Sequence, residues 1–154
     1  MPEIIIKTRI KADIQTCFDL SLDIDFHTRS LKHSNEKAIA GKTTGLIKLG
    51  ESVTWQATHF GINQKLTSKI TEMNPPHYFV DEMVKGIFKS FRHEHHFKSV
   101  ENNTILTDKF MYVSPFGILG KLADKIVLKR YLTRLLKTRN TFLKKEAEIR
   151  TKLV

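Results

Sequence analysis

FKSFRHEHHFKSV, then ENN, then TILTDKFMYV: residues 88–113 are two alternating runs joined by a short polar turn. Side chains two apart on a strand share a face, so Phe91, His93, His95 and Phe97 point one way. On the return run Leu106, Asp108, Phe110 and Tyr112 do the same. A two-residue turn at Asn102-Asn103 pairs Glu101 with Thr104, which sets Phe97 opposite Asp108, His95 opposite Phe110 and His93 opposite Tyr112. A slip of one residue would bring Lys109 under the aromatic face and expose the phenylalanines, so the pattern argues for this register.

The neighbouring segments extend the hairpin into a meander. A tight turn at Lys85-Gly86 pairs Val84 with Ile87 and places Val80 beside Phe91 and Tyr78 beside His93, with Tyr78, Val80, Glu82 and Val84 on one face. Pro75-Pro76 marks a connection, because proline cannot donate to a ladder. Before it, Val53, Trp55, Ala57 and His59 alternate along another strand. Gly61, as the first central residue of a type II′ turn, pairs Phe60 with Asn63 and sets Trp55 opposite Ser68, Ala57 opposite Leu66 and His59 opposite Gln64.

Towards the N-terminus, residues 41–50 contain three glycines and read as loop, and residues 34–40 can form a strand. Residues 3–10 are the first strand, with Ile4, Ile6, Thr8 and Ile10 on its inner face. Asp13 is an N-cap for a short helix that buries Ile14, Cys17, Phe18 and Leu20, and a second short helix is expected over residues 23–30. Beyond Ser114-Pro115 there is no proline, and no glycine after Gly120, so a long helix is expected from residue 116 to about residue 149. Leu128, Tyr131, Leu132, Leu135, Phe142 and Ile149 make one stripe at its 3.6-residue period. Leu119, Leu122 and Ile126 fall nearly opposite, with a break in phase near Val127.

The chain of 154 residues is expected to form one domain, residues 1–154, large enough to bury a core without cross-links. A single cysteine, Cys17, excludes an intrachain disulfide, and without a charged-then-apolar leader or a long apolar run the expected location is the cytoplasm. The formal charge is +10. Residues 116–154 hold seven Lys and four Arg against three acidic residues, which is +8 of it.

The order of elements and several segments resemble a known family. VTWQATHFG (53–61), FVDEMV (79–84), FRHEHHF (91–97), Thr107-Asp108, Tyr112 and FGILGKLAD (116–124) resemble an uncharacterised ligand-binding or polyketide cyclase-like bacterial branch of the START-like (SRPBCC) superfamily. The resemblance implies an α+β helix-grip fold: a curved antiparallel sheet of about seven strands wrapped around a long C-terminal helix, with two short helices after strand one. It also implies an internal cavity for a small hydrophobic or amphipathic, lipid-like or polyketide-like, ligand. Fold alone assigns no reaction, since relatives include lipid carriers, hormone binders and cyclases.

On this reading the cavity wall takes Trp55, Ala57, His59, Leu66 and Ser68 from the first hairpin and Val80 and Glu82 from the middle strand. Phe91, His93, His95, Phe97, Asp108, Phe110 and Tyr112 come from the last hairpin. Imidazoles and a carboxylate desolvated together can do acid–base work, so His93, His95 and Asp108 are the catalytic candidates of an alternative cyclase, dehydratase or hydrolase-like reading. The same groups can instead satisfy one another as a polar core layer. No metal and no cofactor is expected: His93-x-His95 offers two imidazoles, but a third ligand would have to be His59 or Glu82, and no metal motif supports it. Lys121, Lys125, Lys129, Arg130, Arg134 and Lys137 give the last helix a basic face suited to weak contact with an anionic membrane surface, or simply to solvent. No motif for specific nucleic-acid recognition is present.

Overall fold

In a computed structural model, which describes residues 2–59, 61–114 and 127–153, seven antiparallel strands form one sheet. The strands are β1 (Glu3–Ile10), β2 (Lys37–Gly41), β3 (Ser52–His59), β4 (Ile62–Asn74), β5 (Tyr78–Lys85), β6 (Ser90–Val100) and β7 (Asn103–Val113). Their spatial order is β1-β7-β6-β5-β4-β3-β2, so only β1 leaves chain order, joining the free edge of β7. Two short helices, α1 (Ile14–Leu22) and α2 (Ile24–Ser30), follow β1, and a long helix, α3 (Lys129–Lys152), ends the chain. The expected sheet, paired short helices and long C-terminal helix are all present. The first turns expected for the last helix, with Leu119, Leu122, Ile126, Lys121 and Lys125, lie outside the described residues.

The short helices begin where their capping chemistry puts them. Asp13 accepts the Thr16 backbone N–H at 3.0 Å, and Asp23 accepts that of Phe26 at 3.1 Å, each satisfying a first-turn donor that has no partner inside the helix. Helix α1 then buries Cys17, Phe18, Leu20 and Leu22 against Phe79 and Phe97 of the sheet and Leu143 and Ala147 of α3. Phe18 meets both phenylalanines edge-on, at 5.7 and 5.5 Å between ring centroids.

Helix α3 is docked unevenly along its length. Its buried residues are Asn140, Leu143 and Ala147, from its midpoint onward. Leu128, Leu132 and Leu136, on the first half, are only partly buried, against a separate cluster of Ile4, Ile6, Phe91, Phe110 and Tyr112. The expected stripe holds for Leu128, Tyr131, Leu132 and Leu135, but Phe142 and Ile149 are exposed. The buried line runs instead through Leu136, Arg139 or Asn140, Leu143 and Ala147, as a 3.6-residue period started at Leu132 requires.

The register of each hairpin differs from its sequence reading. The β3–β4 turn closes one residue earlier, which moves partners by two and pairs His59 with Ile62 and Trp55 with Leu66, with Gly61 at φ +73° in the second central position. The β6–β7 turn is Glu101-Asn102, with Glu101 at φ +58°, so His95 faces Asp108 and His93 faces Phe110. Both are shifts of two and leave every side chain on its expected face. The β5–β6 connection is the exception. Residues 86–89 form a longer loop in place of the tight Lys85-Gly86 turn, and Asp81 pairs with His93, Phe79 with His95 and Glu82 with Arg92. That is a shift of three, which turns Phe79 and Asp81 inward and Glu82 outward.

Truncating Leu143 to Ala, which opens a void where α3 packs on α1, is expected to lower the unfolding free energy by about 2–5 kcal/mol. The same truncation at exposed Phe142 should cost less than about 1 kcal/mol. Urea denaturation of both variants checks the assignment of the two helix faces, and equal losses would overturn it.

Candidate functional site

Because α3 is fully buried only from Asn140 onward, its first half spans the concave sheet with only partly buried leucines between them. The space left is a cavity of about 570 Å³, in the range that holds a small organic ligand. Leu128, Tyr131, Leu132, Leu135 and Leu136 form its helix wall. Trp55, Ala57, His59, Leu66, Ser68, Phe91, His93 and Phe110, all expected from the sequence, line it from the sheet. Ala57 and Ser68 are the small residues among them, and they lie where a larger side chain would fill the space.

The cavity ends in a polar cluster organised by Asp108, which is wholly buried. Asp108 Oδ1 accepts from His93 Nε2 at 2.9 Å and from Arg139 Nη2 at 3.0 Å, and Asn140 Nδ2 donates to Oδ2. Asn140 also reaches Thr8 Oγ1 at 3.2 Å, tying β1, β6, β7 and α3 together. His95 Nε2 donates to Asp81 Oδ1 at 2.8 Å. Its Nδ1 is 3.1 Å from Asp108 Oδ1, but off the line of a hydrogen bond, so that contact is a charge attraction. The two imidazoles lie 3.8 Å apart between centroids, and Phe79 stacks on the far side of His95 at 4.1 Å.

Burial disfavours every charge here, yet the charges hold one another. Burial alone would raise the carboxyl of Asp108, but the Arg139 guanidinium and the two histidines hold it well below the usual carboxylate range. Asp81 is held low in the same way by the hydrogen bond from His95, against its own desolvation. For His93, burial and then the neighbouring charge of His95 win, and its imidazole is pushed down to about 4. Burial also opposes the charge on His95, but there the two carboxylates prevail and raise it. Of the stacked pair, His95 is therefore the ring that takes the extra proton. Two carboxylates then balance one guanidinium and one imidazolium. His93 is neutral, and because its Nε2–H faces Asp108, its Nδ1 is the acceptor nitrogen.

Of the fourteen expected wall residues, Val80, Glu82, His95, Phe97, Asp108 and Tyr112 do not line the cavity. His95 and Asp108 stand behind His93. Phe97 packs with Phe18 and Phe79, Tyr112 with Phe88 and Phe110, and Val80 is fully buried. Placing Glu82 on the wall is corrected outright: it lies on the outer face, 3.4 Å from Arg92, which also holds Glu72 at 2.8 Å and Glu94 at 3.1 Å. Nor can His59 join the histidine pair, since its Nδ1 is hydrogen-bonded to Tyr131 Oη across the cavity from α3.

The residues that sequence reasoning missed are Asp81, Arg139 and Asn140, and at the other side of the cavity His27 and Glu36. His27 Nε2 and Glu36 Oε1 are 2.8 Å apart, and the His27 ring lies 4.4 Å from that of Trp55. Arg139 and Asn140 are a polar pair on the helical line between Leu136 and Leu143, a signal that gains meaning only beside a buried partner such as Asp108.

A family model described as "Polyketide cyclase / dehydrase and lipid transport" matches residues 10–137. No curated protein matches the chain. Among solved structures, a Thermus thermophilus protein is 18% identical with a TM-score of 0.72, covering 92% of this chain and 97% of its own. A Chromobacterium violaceum protein is 10% identical with a TM-score of 0.73, covering 95% and 96%. Major latex-like protein 151 of Panax ginseng is 18% identical with a TM-score of 0.69, covering 95% and 97%. At these identities the likeness is one of fold.

In metal-free buffer, the imidazole ¹⁵N shifts of His93 should report a neutral ring with a protonated Nε2 down to about pH 4. Those of His95 should report an imidazolium that loses its proton only above the ordinary histidine range of about 6.5. Two rings titrating together near 6.5 would overturn the charge assignment.

Proposed function

The chain belongs to the polyketide cyclase/dehydrase and lipid transport family, and from this we propose that residues 1–154 are one cytoplasmic domain that binds or carries a small hydrophobic or amphipathic ligand, lipid-like or polyketide-like, in its cavity. The observation that carries the reading is the asymmetric docking of α3, which leaves a mostly apolar space of about 570 Å³ that meets the polar cluster at Asp81, His93 and Arg139. A buried apolar space of this size is costly to leave empty, since its lining loses dispersion contacts and gains none from disordered water. An amphipathic molecule would place its apolar body against Trp55, Phe91, Phe110 and the α3 leucines. Its polar head would reach Asp81, His93 and Arg139, the cluster residues that line the cavity.

One observation favours chemistry as the second reading. Of the three catalytic candidates His93 alone lines the cavity, and Asp108 fixes its tautomer so that Nδ1 is the acceptor, the arrangement of an oriented general base. A nitrogen pushed down to about 4 is a weak base near neutral pH, so binding stands ahead of a cyclase, dehydratase or hydrolase-like reaction.

The finer part of the proposal concerns delivery. Lys129, Arg130, Arg134 and Lys137 are exposed on α3, the helix that covers the cavity. Exposed Ile62, Ile87 and Val127 also belong to the cavity lining. No described helix is long and apolar enough to cross a membrane, so contact with a bilayer would be at its surface, through these cations and that apolar rim.

Denaturing extraction of natively purified protein followed by mass spectrometry should release a stoichiometric lipid-like molecule. Refilling the emptied protein should change the fluorescence of Trp55, the only tryptophan. Ala57→Trp, which fills the cavity, should abolish uptake while the chain stays folded; uptake that survives it would place the ligand elsewhere. Vesicles containing anionic lipid should sediment the protein at low salt, and much less at high salt or with Lys129→Glu and Arg130→Glu combined. Equal binding to zwitterionic vesicles would remove the electrostatic part of the reading.

A further inference from the structure

We propose that Asp81, His93 and His95 form a binding site for one divalent first-row transition-metal ion on the cavity wall. A pair of histidines two apart on a strand is weak evidence for a metal, because it lacks a third donor. The three-residue change of register between β5 and β6 supplies one. It turns Asp81 inward beside His93, so that two imidazoles and a carboxylate from adjacent strands meet with all their ligand atoms within 4.8 Å of one another.

The separations suit an ion. Donors about 2.0–2.2 Å from a zinc-sized ion stand roughly 2.8–3.6 Å apart for angles between octahedral and tetrahedral. Asp81 Oδ1 is 2.8 Å from His95 Nε2, at the lower end of that range, and 3.8 Å from His93 Nδ1, just above it. Small side-chain rotations, with no movement of the sheet, would equalise them.

The surroundings match as well. Metal-bound histidines are usually oriented through their second nitrogen by a carboxylate or carbonyl. Here one buried carboxylate faces both: Asp108 Oδ1 is 2.9 Å from His93 Nε2 and 3.1 Å from His95 Nδ1. His95 Nδ1 is buried with no hydrogen bond as the structure stands. With an ion on Nε2, the proton that stays on Nδ1 faces Asp108 Oδ1 at 3.1 Å, and a small rotation of the ring would bring it into line. Asp108 is held in turn by Arg139 and Asn140, so it stays in the outer shell and does not move to the ion. Asp81 and His93 line the cavity, so the open coordination positions would face whatever the cavity holds. Two imidazoles and one carboxylate with open positions suit zinc or ferrous iron better than calcium or magnesium, which prefer all-oxygen sites.

Binding exchanges an ion for a proton. The proton His95 shares with Asp81 leaves to solvent, Nε2 becomes a lone-pair donor, and the cluster gains one net positive charge. An anionic oxygen at the open position, from water or from a cavity ligand, would restore neutrality.

The test uses the full chain and no cavity ligand, so it stands apart from the carrier reading. Dialysis against Zn²⁺ or Co²⁺ in a non-chelating, mildly alkaline buffer should leave one ion per chain, with Co²⁺ giving visible ligand-field bands and Zn²⁺ raising the thermal midpoint. Asp81→Asn and His93→Gln should each weaken binding by at least about tenfold. His96→Ala, at an exposed histidine on the outer face, should leave it unchanged. Folded wild-type protein that takes up no ion, or uptake undiminished in both site variants, overturns the proposal. If either variant fails to fold, the decision rests on the wild-type midpoint: no rise with Zn²⁺ is a negative answer.

Discussion

A buried carboxylate is expensive. Removing Asp108 from water costs several kcal/mol, recovered only if its lone pairs are filled and its charge matched. The structure meets that demand from three directions, with His93 on β6 and Arg139 and Asn140 on α3, while Asn140 carries the link on to Thr8 of β1. Hydrogen bonds of this kind are directional, so they determine where along the sheet the helix sits, which leucine contacts alone would not. Beyond the network, Leu143 and Ala147 pack into the main core. Before it, the helix stands away from the sheet and the cavity opens.

The architecture was legible because strand alternation and capping are local signals. Asp13 announced the first short helix, and the inner faces of β1, β3, β6 and β7 followed from period-2 pattern alone. The errors in hairpin register were of two kinds with different consequences. An even error at the β3–β4 and β6–β7 turns moved partners along the strand and spared the faces. The odd error at β5–β6 exchanged Val80 and Glu82 for Phe79 and Asp81. The sequence of β5 could not prevent it, because each of its faces carries an aromatic residue, an aliphatic or thioether residue and one acid. Alternation discriminates only when the two faces differ in polarity.

Arg139 and Asn140 were hidden for a related reason. A helix stripe is read by its apolar members, and Phe142 and Ile149 drew the phase to one side of the true buried line. The polar members of that line look like breaks in the pattern until a partner such as Asp108 is known. Polar groups on a buried helix face are readable only in pairs, and the partner here lies some thirty residues away on β7.

The division of α3 by this network has an evolutionary consequence. Residues that hold the fold, such as Leu143 and Ala147, and residues that shape the binding space, such as Leu128, Leu132 and Leu135, occupy successive turns of one helix on opposite sides of Asn140. Substitutions in the first group are exposed to selection through folding, and those in the second chiefly through what the cavity admits. The chain can therefore drift in ligand preference at small risk to its foldedness. Divergence within such a lineage should collect on the cavity side of the network, while the far end of the helix changes slowly.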